Sequence, residues 1–268
     1  WSGGELIMSA KSAIEWTDAT WGPVTGCSKV SQGCKHCYAE REWPRLQHLP
    51  AYAGRAFTDV CCHPDRLNEP QHWRRPRKIF VCHNADLFHE AVLDEFIDQV
   101  FGVMGACEDA GRGHVFQVLT KRPERMLRYM QTRAHHAWNI RRHGLDAFPP
   151  CNIWLGVSVE DQATADERIP LLLETPAIVR WVSAEPLLAP IDFTHLKTDE
   201  DTGEDIGGWD HCDGIAQWYN ALDGSAYSAE RHGQSLRGIE KAFSLPKLNW
   251  VVAGGESGPK ARPSHPDW

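Results

Sequence analysis

The sequence predicts an α/β fold, a partial (β/α)6 TIM-like barrel of mostly parallel strands with an acidic insertion before the last strand. Three observations predict it. Short apolar runs rich in Val and Ile recur without alternation, as strands covered on both faces do. Polar or Gly residues and then a helical pattern follow them, the order of a βαβ unit. A length of 268 residues suits a single α/β barrel, so residues 1–268 are read as one domain.

The elements follow in order. Segment 13–27 supplies a first strand that ends at a cysteine-bearing loop. Lys78-Ile79-Phe80-Val81-Cys82 is the first clear strand. After it, Leu93 to Ala110 sets Phe96, Ile97, Val100, Phe101, Val103 and Met104 on one apolar stripe, with Gly111 as a stop. The next strand is His114 to Leu119, and the helix after it starts at Pro123, a first-turn proline, and runs to Met130. Asn152 to Val157 is a strand. The helix Asp161 to Leu173 opens with acidic residues near its positive end, and Pro170 is expected to kink or end it. Ile178 to Val182 and Asn249 to Ala253 complete six strands, the last running into Gly254 and Gly255.

Residues 194–244 break the rhythm. They hold Asp199, Glu200, Asp201, Glu204 and Asp205, several Gly and no strong periodicity, and are read as an insertion on the barrel rim. Its Trp209, Trp218 and Tyr219 leave two readings open, a lid over a site or a solvated excursion with a small core of its own.

Hydrophobic residues make up 42% and charged residues 24%, enough apolar side chain for a sizeable core. No apolar run reaches the roughly 18 residues that span a bilayer, and no secretory signal opens the chain. No membrane association is expected, and the expected location is the cytoplasm. The net charge of -8 argues against a protein that coats nucleic acid without specificity. Arg74, Arg75, Arg77 and Lys78 nevertheless cluster before a strand, either as solvated residues or as a local phosphate-binding patch.

Three of the nine cysteines form a tight cluster, Cys27, Cys34 and Cys37, with spacing C-x6-C-x2-C. In a reducing compartment such a cluster reads as a metal or redox site. Three thiolates on one loop can hold three corners of a cubic iron–sulfur cluster and leave one iron open to an exogenous ligand. Gly26 and Gly33 let the loop turn tightly. Zinc bound by the three cysteines with His36 or His63 is a second reading, that of a zinc-stabilised, non-catalytic binding or accessory module, and unliganded core thiols are a third. Cys61 and Cys62 are read as buried small hydrophobes, with an auxiliary cluster the alternative. His83 and His89 flank Asp86 and are read as core or rim histidines, with proton donation the alternative.

Several motifs carry a resemblance over nearly the whole chain outside the acidic insertion. They are Ile14-Glu15-Trp16-Thr17-Asp18, Gly26-Cys27, Gly33-Cys34-Lys35-His36-Cys37-Tyr38-Ala39-Glu40, Asp86-Leu87-Phe88-His89, Leu119-Thr120-Lys121-Arg122-Pro123, Gly156-Val157-Ser158-Val159-Glu160, Ser183-Ala184-Glu185-Pro186-Leu187 and Gly254-Gly255-Glu256-Ser257-Gly258. In that order they resemble a phage- and bacterium-borne three-cysteine-motif family of uncharacterised function, similar to a distant branch of the radical S-adenosylmethionine enzymes. The loop departs from the usual C-x3-C-x2-C by three extra residues between its first two cysteines. The resembling proteins continue past His265-Pro266-Asp267-Trp268 with a further helix and strand, which this chain is expected to lack.

The resemblance implies a [4Fe-4S] cluster on Cys27, Cys34 and Cys37 that binds S-adenosyl-L-methionine at its free iron. Reductive cleavage then yields a 5′-deoxyadenosyl radical that takes a hydrogen atom from a substrate. It places Asn84 and Asp86 at the methionyl ammonium, and Lys121 at a carboxylate or phosphate. Ser158, Glu160 and Glu185 would meet ribose hydroxyls, and Gly254, Gly255 and Glu256 would let the cofactor approach the backbone. The implied partners are a flavodoxin- or ferredoxin-like electron donor and a protein partner. A nucleobase, nucleotide or nucleic acid is the expected substrate class, and no catalytic side chain is assigned.

Overall fold

This computed structural model describes residues 12, 14–133, 151–197, 213–232, 235–244, 246–256 and 261–262. Along the chain run β1 (Ala19–Trp21), β2 (Val24–Thr25), α1 (Tyr38–Leu46), β3 (Cys61–Cys62), α2 (Glu69–His72), β4 (Lys78–Val81) and α3 (Asp94–Asp109). They are followed by β5 (Val115–Thr120), α4 (Pro123–Thr132), β6 (Ile153–Ser158), α5 (Gln162–Glu174) and β7 (Val179–Ala184). Then come β8 (Leu196–Lys197), β9 (Asp213–Asn220), β10 (Ser225–His232), β11 (Ser235–Ser244) and β12 (Trp250–Ala253).

The fold is mixed α/β. Its main sheet has six strands in the order β1-β4-β5-β6-β7-β12, and every neighbouring pair is parallel. Spatial order follows chain order without reversal. Right-handed crossovers then bring the helices to one face of the sheet. On that face Ile79, Val81, Phe116, Val118, Ile153, Leu155, Val157 and Val182 share one core with Ile97, Val100, Phe101 and Met104 of α3, Met126 and Tyr129 of α4, and Ile169 and Leu172 of α5.

Because side chains alternate along a strand, Phe80, Trp154, Trp181 and Trp250 point to the other face. There Trp16, which precedes β1, lies 4.8 Å from the Phe80 ring, 5.2 Å from Trp181 and 6.0 Å from Trp250 between centroids. In a flat sheet β4 and β12 would be roughly 19 Å apart, four strand spacings. One indole touching both requires a curled sheet, and Trp16 fills the concavity. Among the described residues no pairing joins β1 to β12.

The sequence expectations are altered in three places. Segment 13–27 yields two short strands. Only β1 joins the main sheet, while β2 leaves it to pair antiparallel with β3, Val24 opposite Cys62. Pro170 does not end its helix, since α5 continues through it to Glu174. A capping box between Asp161 and Thr164 starts that helix. Within the stretch read as aperiodic, β8 to β11 form a four-stranded antiparallel sheet in the order β11-β10-β9-β8. Leu196, Ala221 and Ala226 tie its base to the main core, and Lys197 N donates to Asp166 Oδ1 at 3.1 Å. Trp218 and Tyr219 lie on β9 in register with Lys197 and Leu196. The acidic residues 199–205, Trp209 and Cys212 lie outside the described residues, as do Ser257, Gly258 and the final residues 263–268.

No helix among the described residues is long and apolar enough to cross a membrane. Trp16→Ala is expected to lower the unfolding free energy by about 3 kcal/mol, read from urea denaturation, because it empties the concave face. An unchanged midpoint would show that the indole is not a packing element.

Candidate functional site

The cysteine loop starts with a backbone that only glycine serves well. Gly26 has φ +86, and a Cβ there would sit 2.6 Å from Asp59 O. Cys27 follows, its N–H bonded to Phe57 O at 2.9 Å. A single 3-10 turn spans Gln32–Cys34, and Cys37 caps the start of α1, accepting from Arg41 N at 3.1 Å. Cys27 and Cys37 pack against Ala39, Trp43, Tyr52 and Phe57, a small aromatic cluster separate from the main core. The loop therefore has apolar support on one side and faces the carboxyl ends of the parallel strands on the other.

Those strand ends grip the loop through buried charge. Glu160, just after β6, is fully buried and accepts from Ser31 Oγ at 2.8 Å and from Arg168 Nη1 at 3.3 Å. Lys121 Nζ also donates to Glu160 Oε1, and to Ser158 Oγ at 2.8 Å. Gly33 lies directly on this carboxylate, since a Cβ on it would be 2.4 Å from Glu160 Cγ. Ser31 and Gly33 thus fix the loop to the end of β6.

A second buried carboxylate, Asp86, accepts from Thr120 Oγ1 at 2.8 Å, Phe88 N at 2.9 Å, Lys121 N at 3.1 Å and Arg122 Nη1 at 3.1 Å. Arg122 is the hub. Its Nε donates to Glu90 at 2.9 Å and its Nη2 to Ser28 Oγ at 2.9 Å, and Nη1 lies 3.9 Å from Cys27 Sγ. Ser28 Oγ also pairs with His89 Nε2 at 2.8 Å. From beyond β12, Arg262 bonds Glu256 Oε1 at 2.8 Å and Gln32 O at 3.0 Å. Tyr38 donates its hydroxyl to His83 O. The ends of β4, β5, β6 and the segment after β12 all meet the same loop.

Burial pushes the Cys27 thiol up to about 12, with the Asp86 charge adding to the rise and Arg122 opposing it. Burial also raises Cys37, with Cys34 contributing. The thiols of Cys27 and Cys37 are therefore protonated at neutral pH in the metal-free chain, and each feels Cys34. All three cysteines are free thiols. In kind they suit a soft metal centre. In position, no three His, Cys, Asp or Glu side chains among the described residues converge closely enough to hold a metal ion. His63 is buried, with Nε2 bonded to Thr25 Oγ1 at 2.8 Å. The charge of His36 helps to hold the Glu256 carboxyl low, after the hydrogen bond from Arg262.

The other strand-end residues fall into two groups. Asp86, Glu160 and Glu256 are engaged by cations of the chain, and Lys121 with them. Ser158 accepts from Lys121 and donates to Glu185 O at 3.1 Å. Glu185 accepts from Ser183 Oγ through Oε2 at 3.1 Å, while its Oε1 is 2.5 Å from where a Cβ on Gly254 would sit. Asn84 is half-buried and Gly255 exposed. The Asn84 side chain makes no hydrogen bond among the described residues. Sequence reading missed Ser28, Ser31, Arg122, Arg168 and Arg262 as parts of the site. Arg122 adjoins Lys121 in a motif already noted. Arg168, on the helix after β6, carries no sequence signal that separates it from a surface arginine.

Glu160→Gln leaves Arg168 and Lys121 without their shared anion and is expected to cost about 3 kcal/mol in urea unfolding. Gly33→Ala is expected to lift the loop and speed alkylation of Cys34. A rate equal to wild type would show that the carboxylate does not support the loop. In the metal-free protein, alkylation of Cys27 by iodoacetamide is expected to rise about tenfold per pH unit between about pH 7 and pH 9 without levelling. Peptide mass spectrometry reads this, and a plateau below pH 9 would mean an ionised thiol.

Compared with known proteins, residues 11–268 match DUF5131, described as a protein of unknown function. No curated protein and no solved structure matches the chain.

Proposed function

The chain belongs to the DUF5131 family, a family of unknown function, and from that premise we propose that it is an iron–sulfur enzyme of the radical S-adenosylmethionine kind. In this reading the curled sheet is a partial (β/α)6 barrel of the TIM type, and Cys27, Cys34 and Cys37, which do not converge on one point in the metal-free chain, would be drawn together as the ligands of a [4Fe-4S] cluster. The resemblance to phage- and bacterium-borne three-cysteine proteins and a cytoplasmic location belong to the same proposal. The observation that carries it is a loop of three free thiols held over the carboxyl ends of parallel strands, where sites of such folds gather.

When bound, such a centre supplies one-electron reductive cleavage of S-adenosyl-L-methionine and hydrogen-atom abstraction from a substrate. The chain's own residues do the rest. Arg122 sets a guanidinium near Cys27 Sγ, which favours the thiolate that metal ligation requires. Trp43, Tyr52 and Phe57 keep water from one side of the loop. Glu160, Asp86 and Glu256 act as positioning residues, because their oxygens already hold Arg168, Arg122 and Arg262. Asn84 and Glu185 retain free hydrogen-bonding capacity and are the residues assigned to the cofactor's ammonium and ribose groups. Ser158, Lys121, Gly254 and Gly255 complete that wall. A nucleobase or nucleic acid is the proposed substrate class, with a flavodoxin- or ferredoxin-like electron donor and a protein partner.

Anaerobic reconstitution tests the reading. The expected product is a brown protein with about four irons per chain that converts S-adenosyl-L-methionine and dithionite to 5′-deoxyadenosine. Cys34→Ala is expected to abolish iron loading. A colourless protein that retains one zinc and takes up no iron would overturn the proposal in favour of a zinc-stabilised binding module.

A further inference from the structure

The opposite end of the main sheet carries a cluster of positive side chains. The loop leading into β4 reads Arg74-Arg75-Pro76-Arg77-Lys78, and the turn leading into β5 is Gly111-Arg112-Gly113. The two loops touch, since a Cβ on Gly113 would lie 3.2 Å from Pro76 Cγ, and Val115 N bonds Arg77 O at 2.9 Å. His114 between them is held low by burial first, with the charges of both Arg77 and Arg112 contributing. Five cations therefore share one surface.

None of the five makes an ion pair among the described residues. Elsewhere Lys29, Arg45, Lys121, Arg122, Arg125, Arg133, Arg168 and Arg262 are paired to carboxylates, while Arg55, Arg66 and Arg180 donate to backbone carbonyls instead. At the edge of the patch Asp18 accepts from the backbone N of Lys78 through Oδ2 at 2.7 Å, and Glu108 and Asp109 end α3 just before the turn that carries Arg112. Arg74, Arg75 and Lys78 are exposed. The Arg77 guanidinium lies 5.0 Å from the Trp73 ring centroid, which holds it in place.

Five neighbouring like charges in a chain of net charge -8 repel one another unless an anion joins them. We infer that the loops leading into β4 and β5 bind the phosphodiester backbone of a nucleic acid. Four of the five cations are arginines, whose planar forks match phosphate oxygens. A membrane surface fits less well, since no large exposed apolar residue lies in either loop to enter a lipid layer. The inference goes beyond the reading of the cysteine loop and does not depend on it. Binding here needs no metal, so failure of either leaves the other standing.

Fluorescence anisotropy with fluorescein-labelled 20-nucleotide single-stranded DNA, the matching RNA and the 20-base-pair duplex tests it on the metal-free protein. The affinity is expected to fall with salt, with a log–log slope of about -3 to -4 if most of the five cations meet phosphates. The variant Arg74→Glu/Arg75→Glu/Lys78→Glu is expected to bind at least about tenfold more weakly, with a flatter slope. Arg45→Ala, an exposed cation on α1, is expected to bind as wild type does. A triple variant with unchanged affinity and slope would overturn the inference. So would a wild-type protein that binds none of the three probes at 50 mM salt, or one that binds only phosphatidylserine-containing vesicles.

Discussion

A carboxylate without access to water must be met by cations or hydrogen-bond donors, and Glu160 is such a group. Lys121 from the end of β5 and Arg168 from α5 supply the charge, and Ser31 supplies a further donor. The last of these connects the sheet to the cysteine loop. Gly33 follows from the same constraint, because any side chain there would enter the space the carboxylate occupies. The position of the thiols is therefore set by a charge just beyond β6 acting on Ser31 and Gly33 of the loop.

Asp86 repeats the arrangement two strands away, beyond the end of β4. It binds Arg122, and Arg122 reaches Ser28 and Cys27. A buried pair of this kind is weak evidence for stability, since desolvation offsets much of the attraction. It is stronger evidence for geometry. Each charge can be satisfied in only one arrangement, which leaves the loop few alternatives. Burial keeps the Cys27 thiol protonated in the metal-free chain while Arg122 pulls the other way. A neighbouring cation shifts that balance towards the thiolate.

Much of the fold was legible in the residues. Five strands and three helices lie close to where apolar runs and helical stripes place them, because burial on both faces of a parallel strand is written in its own sequence. The cysteine spacing marked the loop for the same local reason. The second sheet was not legible. Its strands carry polar residues and glycines and depend on pairing with one another, so no single strand shows a strong period. The curling of the main sheet around Trp16 was hidden too, since it rests on contacts among residues from three distant strands.

Sequence alone determined the parallel α/β order, the thiol-bearing loop and the polar residues at strand ends, because periodicity and spacing are local properties. Tertiary structure alone decided which of those polar residues hold the loop and which keep free hydrogen-bonding capacity. Ser31 and Glu160 meet across 129 residues of chain. Whether a carboxylate faces a neighbouring cation or open space is settled by distances between strands, and no pattern along one strand encodes them.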